Sequence, residues 1–214
     1  MPATISPDRI LAIDRVNPQW GRIRLAAAAI RRGEILAIPT DTVYGLAGNP
    51  FRAGVVERIF RMKRRRESHP ILLLIADYAQ LGRVAQEVAL LRPLAAAFWP
   101  GPLTIILPAK ENLPEAITAG SGTIAVRLPA AKLVRALIRA AGVPLTGTSA
   151  NLSGRAAART AAEVNLQLGR CVYYILDAGR TRRAAPSTIV DLSGPPRIVR
   201  AGAIPEGKLR RFLR

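Results

Sequence analysis

Apolar positions along the chain alternate between the spacing of helices and the short continuous runs of buried strands. Val55, Val56, Ile59 and Phe60 recur at helical spacing with arginines on the other side, which predicts an amphipathic helix. Ile71–Ala76 is an apolar run of strand length, typical of a strand buried on both faces. The pattern predicts helices at Gln19–Arg32, Ala53–Arg64, Tyr78–Gln86, Ala89–Phe98, Lys132–Ala141 and Ala161–Leu168. It predicts strands at Glu34–Pro39, Ile71–Ala76, Leu103–Leu107, Ile124–Leu128, Leu145–Thr148, Val172–Leu176, Thr188–Asp191 and Arg197–Arg200.

The order of these elements predicts an α/β fold in one domain that comprises residues 1–214. Helices and strands alternate without a fixed period, and no linker rich in Ser, Gly or Pro interrupts them. Asn17 and Pro18 predict the start of the first helix as an N-cap and a first-turn proline, and Gly33 predicts its end. Residues 203–214 are expected to form a short basic C-terminal tail.

The composition is that of a folded protein. The chain has 214 residues, of which 50% are hydrophobic and 21% charged, so it can bury enough apolar surface to offset its ordering entropy. Cys171 is the only cysteine, which excludes an intrachain disulfide and a cysteine-based zinc site. The N-terminus lacks a basic segment followed by an apolar one, and no apolar run approaches the roughly 20 residues of a membrane span. A cytoplasmic protein without a membrane segment is therefore expected.

The net charge of +18 predicts a polyanionic partner. Nucleic acid, a nucleotide or an acidic membrane surface would each fit this charge. The aromatic share of 5% is too small for a platform that stacks nucleic-acid bases.

The usual nucleotide-binding and hydrolase motifs are missing. The sequence has neither a G-x-x-x-x-G-K-[ST] loop nor a G-x-G-x-x-G fingerprint after the first strand. His69 is the only histidine and lies in a basic loop directly before Pro70, which argues against a Ser-His-Asp mechanism.

Short polar clusters at the ends of predicted strands are the candidates for chemistry. They consist mainly of hydroxyls and basic side chains, which suit the binding of several anions and reactions such as phosphoryl or nucleotidyl transfer. Each cluster taken singly also fits an ordinary turn or helix cap. Arg127 stands out because it follows the apolar strand residues 124–126, where a buried charge needs a partner. The clusters lie at 39–46, 63–66, 121–123, 127, 148–154 and 186–188.

Taken in order, the motifs resemble those of the YrdC family of threonylcarbamoyl-AMP synthases. The resemblance spans about residues 17–202 without a break. The motifs are Pro39-Thr40-Asp41-Thr42-Val43-Tyr44-Gly45-Leu46, Lys63-x-Arg65, Trp99-Pro100-Gly101-Pro102-Leu103-Thr104, Val126-Arg127-Leu128-Pro129, Thr148-Ser149-Ala150-Asn151-Leu152-Ser153-Gly154 and Ser187-Thr188-Ile189-Val190-Asp191. The resemblance implies a YrdC-like twisted mixed sheet with flanking helices and a basic concave surface, in the single-domain bacterial form.

The resemblance also implies a reaction. Members of this family join L-threonine, bicarbonate or carbon dioxide, and ATP into threonylcarbamoyl-AMP and pyrophosphate, and other proteins then transfer the threonylcarbamoyl group to tRNA. Mg²⁺ is expected to accompany ATP and to be held mainly by the phosphates, without a dedicated protein metal site. The basic surface leaves tRNA or double-stranded RNA binding open.

Site residues follow from the resemblance, position by position. The expected catalytic residues are Lys63, Arg65 and Arg127, of which Lys63 would contact phosphate. Those expected to bind threonine are Thr42, Arg127 and Ser187, with Arg127 forming a bidentate contact to the carboxylate. Those expected to bind ATP are Arg65, His69, Thr123, Ser149, Asn151 and Arg200, with Asn151 ordering its loop.

The sequence departs from its relatives at four positions. Arg66 stands where many relatives have proline, and His69 where many have asparagine. Leu74 and Ala157 replace a histidine and a serine that contact the substrates in some archaeal relatives, so neither contact can form here. Two alternative functions remain: a non-enzymatic protein that binds double-stranded RNA or tRNA, and a relative of the carbamoyltransferases that handle carbamoyl-adenylate.

Overall fold

The computed structural model describes residues 5–64, 70–111, 113–181 and 185–213, in which eleven strands and eight α-helices alternate. The strands are β1 Ile10–Ala12, β2 Leu36–Pro39, β3 Tyr44–Ala47, β4 Leu72–Leu74, β5 Leu103–Pro108, β6 Thr123–Arg127, β7 Leu145–Thr146, β8 Thr148–Ser149, β9 Tyr174–Asp177, β10 Thr188–Asp191 and β11 Arg197–Arg200. The helices are α1 Trp20–Arg31, α2 Val55–Lys63, α3 Tyr78–Val84, α4 Leu91–Phe98, α5 Glu115–Thr118, α6 Lys132–Ala141, α7 Ala161–Leu168 and α8 Glu206–Arg210. The predicted α/β class is confirmed, while β1, β3, α5 and α8 were not predicted.

The strands form two mixed sheets, whereas the sequence predicted one. The first sheet has the order β1-β9-β2-β3-β8 and the second has the order β11-β10-β5-β6-β4-β7. In the first sheet β2 is parallel to β9 and antiparallel to β3. In the second sheet β5 is parallel to β10 and antiparallel to β6.

The chain passes from the second sheet to the first at Gly147. The predicted strand Leu145–Thr148 is divided there: β7 pairs with β4 of the second sheet and β8 pairs with β3 of the first. A Cβ atom at position 147 would lie 2.6 Å from Cγ of Leu74, so only glycine leaves room for this side chain. An apolar pattern cannot show such a change of partner, because both halves are buried.

Each sheet helps to form a hydrophobic core. Leu36 and Ile38 of β2 pack in one core with α1 and α6, while Ala37 between them faces the other core. That other core also takes Ile105 and Val126 from the second sheet. The whole of β2 is buried because both of its faces are covered, which explains its apolar sequence.

The start of α1 differs from its prediction. Gln19 precedes the helix as N-cap and makes no side-chain capping bond, so the prediction that Asn17 caps the helix is wrong. The carboxylate of Asp14 instead accepts hydrogen bonds from the backbone amides of Val16 and Asn17, at 2.7 and 2.6 Å, and forms a turn ahead of the helix. These two amide bonds lower the pKa of the Asp14 carboxyl.

Residues 203–213 pack against the domain. Leu209 of α8 is fully buried and belongs to the core that contains Ile105 and Val126. The ring of Phe212 lies edge-on to that of Phe98, with 5.4 Å between the centroids. Helix α8 and Phe212 thus pack against the rest of the described structure. No helix in the described ranges has the length and apolarity that crossing a membrane requires.

Helix α3 provides a test of local stability. The carboxylate of Asp77 accepts a hydrogen bond from the backbone amide of Gln80 at 3.0 Å and so caps the helix. Asp77→Ala is expected to lower the free energy of unfolding by about 1 kcal/mol, because the amide loses its partner. Asp77→Asn keeps a capping oxygen and should remain close to the parent protein. Urea denaturation of the two variants measures this difference, and equal stability would contradict the assigned cap.

Candidate functional site

A cavity of about 450 Å³ lies on the face of the second sheet that is turned away from its core. Strand alternation produces this division. In β6, Ile124 and Val126 point into the core, while Thr123, Ala125 and Arg127 line the cavity. The cavity floor therefore consists of every second residue of the strands that cross it.

Three parts of the chain complete the cavity around this floor. The turn between β2 and β3 contributes Thr40 and Thr42, and the end of α2 contributes Lys63. The region around β8 contributes the polar residues Thr148, Ser149, Asn151 and Ser153. On the floor, β5 supplies Thr104, the segment entering β10 supplies Ser187, and β11 supplies Arg200. The apolar floor residues are Leu72, Leu74, Ile106, Ala125 and Ile189.

Arg127 is a buried cation with fixed partners. Its side chain is 4% exposed. Nε donates to the carbonyl of Gly101 at 3.0 Å, one terminal nitrogen donates to Oγ1 of Thr42 at 3.0 Å, and the other lies 2.8 Å from a carboxylate oxygen of Asp41. The expectation that a charge here needs a partner is confirmed. The guanidinium is thus held in one orientation at the cavity wall.

Hydroxyl contacts order the turn that carries Thr42. Oγ1 of Thr40 donates to the carbonyl of Val43 at 2.7 Å and accepts from the amide of Thr42 at 3.1 Å. The two threonine hydroxyls are 3.0 Å apart. This network fixes the position of the Thr42 hydroxyl relative to Arg127.

A second polar group lies where β10 begins. The hydroxyls of Thr104 and Ser187 are 2.8 Å apart, and both residues are buried. Arg200 donates to the carbonyl of Ser187 at 2.8 Å. Burial and, to a smaller extent, the positive charge of Arg127 lower the pKa of the Arg200 guanidinium. Since arginine stays protonated at neutral pH, two cations act on the same cavity and favour an anionic ligand there.

Lys63 connects α2 to the loop after β8. Its side chain donates to the carbonyl oxygens of Ser149 and Asn151, the second at 2.9 Å. The side-chain amide nitrogen Nδ2 of Asn151 donates to the backbone carbonyls of Leu152 and Arg155 at 2.9 and 2.7 Å. These bonds tie the loop at 149–155 to the helix end.

Lys63→Met is expected to loosen this loop. The substitution retains the length of the side chain but removes the ammonium, so two carbonyl groups lose a donor. Amide hydrogen exchange of residues 149–155 should become faster, by about tenfold for a loss of roughly 1.4 kcal/mol. Lys208→Met, at an exposed position of α8, is the matched control and should leave the loop unchanged. Unaltered exchange in Lys63→Met would show that the ammonium does not hold the loop.

Most of the predicted site residues line this one cavity: Thr42, Lys63, Thr123, Arg127, Ser149, Asn151, Ser187 and Arg200. Arg65 and His69 lie outside the described residues. Some residues of the site were not among the predicted site residues. Thr40, Thr104, Thr148 and Ser153 also line the cavity, and Asp41 pairs with Arg127 without lining it. Thr104 alternates with the core residues Leu103 and Ile105, so strand phase could have revealed it, and the others belong to motifs already noted. In the described ranges, no three or more His, Cys, Asp or Glu side chains form a group that could hold a metal ion.

Comparison with known proteins places the chain in a family. Residues 28–202 match the Sua5/YciO/YrdC family, which carries the description "Telomere recombination". The match covers more than half of the chain. The chain therefore belongs to the Sua5/YciO/YrdC family.

Relatives of known structure and name are similar over most of the chain. The threonylcarbamoyl-AMP synthase of Pyrococcus abyssi is 39% identical over 197 residues, which is 91% of this chain and 58% of that protein. The threonylcarbamoyl-AMP synthase of Nitrosococcus oceani is 39% identical over 175 residues, which is 81% of this chain and 94% of that protein. The crystal structure of P. abyssi Sua5 complexed with L-threonine superposes with a TM-score of 0.91 at 37% identity, covering 95% of this chain and 60% of that one. The chain thus spans little more than half the length of the Pyrococcus relative.

Proposed function

We propose that this protein is a threonylcarbamoyl-AMP synthase, a nucleotidyltransferase that joins L-threonine, bicarbonate or carbon dioxide, and ATP. The observation that carries the proposal is a buried, oriented guanidinium in a cavity lined by hydroxyls and a second arginine. Relatives that bear this activity in their names, at 39% identity, support it. So does the complex of P. abyssi Sua5 with L-threonine.

The proposed reaction has two bond-forming steps. The threonine amine attacks carbon dioxide, a C–N bond forms, and the amine proton passes to solvent to leave a carbamate. A carbamate oxygen then attacks the α-phosphorus of ATP, and the bond from that phosphorus to the bridging oxygen of the β-phosphate breaks. Pyrophosphate leaves with the electron pair. The protein's task is to bring three anionic groups together, which is a task of positioning and charge stabilisation.

The cavity residues suit these roles. Arg127 and the Thr42 hydroxyl would bind the threonine carboxylate, and Ser187 would contact the same substrate.

Arg200, Thr123 and Ser149 would lie along ATP, as would Arg65 and His69 by family resemblance. Lys63 would contact phosphate, and Asn151 would order the adjoining loop. Fixed cations reduce the mutual repulsion of carboxylate, carbamate and triphosphate, which is worth several kcal/mol at these distances.

Mg²⁺ would arrive with ATP and be held mainly by the phosphates. The polar side chains described at the cavity are hydroxyls, one amide and three cations, with no carboxylate among them, and Mg²⁺ commonly binds phosphate oxygens while it keeps several waters. The product would serve tRNA modification in the cytoplasm, where other proteins would transfer the threonylcarbamoyl group. Surplus basic charge on the surface would favour contact with tRNA.

Pyrophosphate release tests the proposed function. With Mg²⁺ present, release should require ATP, L-threonine and bicarbonate together, and omission of any one should reduce it to background. Release that is indifferent to threonine would contradict the proposal. Salt-sensitive binding of double-stranded RNA in a protein without this release would instead favour the non-enzymatic alternative.

A further inference from the structure

We propose that Asp41 is a positioning residue that holds Arg127 in the orientation needed to bind the threonine carboxylate. This inference rests on the proposed function and assigns a role to a residue of the 39–46 motif that the family resemblance leaves without one. It depends on the geometry of one buried ion pair and on where the carboxylate lies relative to the cavity.

Asp41 holds the one terminal nitrogen of Arg127 that Thr42 does not bind. The carboxylate oxygen Oδ2 is 2.8 Å from this nitrogen, and the two side chains are 14% and 4% exposed. Asp41 and Thr42 are neighbours in the chain, so one short turn contacts both terminal nitrogens, Thr42 through a hydrogen bond and Asp41 through an ion pair. The hydrogen bonds to Thr42 and to the carbonyl of Gly101 orient the guanidinium. The carboxylate of Asp41 adds a close ion pair to the remaining terminal nitrogen, without the geometry of a hydrogen bond.

Asp41 contacts Arg127 from a side that does not line the candidate site. Arg127 lines the 450 Å³ cavity, whereas Asp41 lines a separate one of about 410 Å³ together with Gly101, Pro102 and Lys132. The Asp41 side chain is absent from the residues that line the candidate site. A ligand in that site would touch Arg127 and not Asp41, so Asp41 acts through the arginine.

The charge of Asp41 also matters. Burial lowers the pKa of the Arg200 guanidinium most, and the positive charge of Arg127 lowers it further. The two cations are therefore close enough to repel each other. Arg135 is a further cation in this region. Burial and the charge of Arg139 lower the pKa of Arg135, and the negative charge of Asp41 raises it in part. A carboxylate among these arginines reduces the cost of keeping Arg127 charged in a buried position. Without it, the guanidinium would gain by turning toward other acceptors or solvent.

The test compares Asp41→Asn and Asp41→Glu in the full chain. Asparagine has the size of aspartate but no charge, while glutamate keeps the charge and adds a methylene. Calorimetric titration with L-threonine should show binding weakened by about 10- to 100-fold in Asp41→Asn. Asp41→Glu should bind more tightly than Asp41→Asn, although it disturbs the packing more. In turnover, the KM for threonine should rise in Asp41→Asn, while the KM for ATP stays within about twofold.

Asp191→Asn is the matched control. Asp191 is also a poorly exposed carboxylate paired with an arginine, Arg197, at 3.0 Å, but neither residue lines the cavity. The Asp191→Asn protein should bind L-threonine with the same affinity as the parent protein. Thermal melting of all variants checks that each is folded.

The outcomes are distinguishable. Equal threonine affinity in Asp41→Asn and the parent would overturn the role of Asp41 and leave the proposed function intact. Tighter binding by Asp41→Asn than by Asp41→Glu would show that packing, rather than charge, matters at this position, which also overturns the proposal. If the parent protein binds no threonine, the proposed function fails as well.

Discussion

Arg127→Lys is expected to reduce threonine-dependent pyrophosphate release by about 100-fold or more. Lysine retains the positive charge but has a single ammonium in place of the planar fork. It cannot bind Gly101, Thr42 and Asp41 with the geometry of the guanidinium and still present two parallel donors to a carboxylate. Loss of one partner in a buried charge pair costs about 2–5 kcal/mol, which corresponds to this decrease.

Lysine is a better test than alanine. Arg127→Ala would leave the carboxylate of Asp41 buried without its cation, at a cost of about 3–5 kcal/mol to the fold. A loss of activity would then have two explanations. Arg127→Lys keeps a charge near Asp41 and separates positioning from folding.

Arg211→Lys serves as the control for this measurement. Arg211 follows α8, and its guanidinium lies over the ring of Phe212, away from the cavity residues. Turnover should be unchanged. A similar loss in both variants would show that general effects of arginine replacement, rather than the carboxylate contact, account for the result.

Gly101→Ala is expected to destabilise the protein by about 3 kcal/mol, at the upper end of the cost of overpacking. A Cβ atom at this position would lie 2.2 Å from the backbone carbonyl oxygen of Phe98. A backbone atom cannot move aside as the end of a side chain can. The amide of Gly101 also donates to Leu128 and its carbonyl accepts from Arg127, so any shift of the backbone would disturb the site as well.

Gly21→Ala is the matched control for this substitution. Gly21 lies in α1, and an added Cβ would meet no atom within 4 Å. Alanine is the better helix former, so stability should rise by up to about 1 kcal/mol. Chemical denaturation of both variants tests the pair, and a Gly101→Ala protein as stable as the parent would contradict the close approach of Gly101 to the Phe98 carbonyl.

The elements of the fold were largely predictable from apolar spacing, but their partners were not. The run at 71–76 predicted β4 because both of its faces are covered. Spacing could not show that the chain changes sheets at Gly147, since this depends on the close approach of Leu74. Asn17 and Pro18 suggested a helix cap, yet a local turn uses the backbone amide of Asn17 to bind Asp14 instead.

The candidate site shows the same division. Arg127 was predicted as a candidate site residue because a charged residue at the end of an apolar strand needs a partner. Its partner Asp41 lies 86 residues earlier in the chain, and only the packing of the first sheet against the second brings the two together. Thr104 was overlooked because a threonine inside an apolar strand is ordinarily interpreted as part of the core.

The high net charge is divided between two roles. Lys63, Arg127 and Arg200 line the cavity and would be needed there at any overall charge. The other basic residues, apart from Arg65, carry no assigned contact with the proposed substrates.

Incorporation of carbon-13 from labelled bicarbonate tests the central claim most directly. The parent protein, given ATP, L-threonine and labelled bicarbonate, should form an adenylate that contains both threonine and one labelled carbon, detected by mass spectrometry. Arg127→Lys should form little of it, and no adenylate should appear without threonine. An adenylate that lacks the labelled carbon, or one that forms without threonine, would contradict the assignment of this cavity as the site where the three substrates are joined.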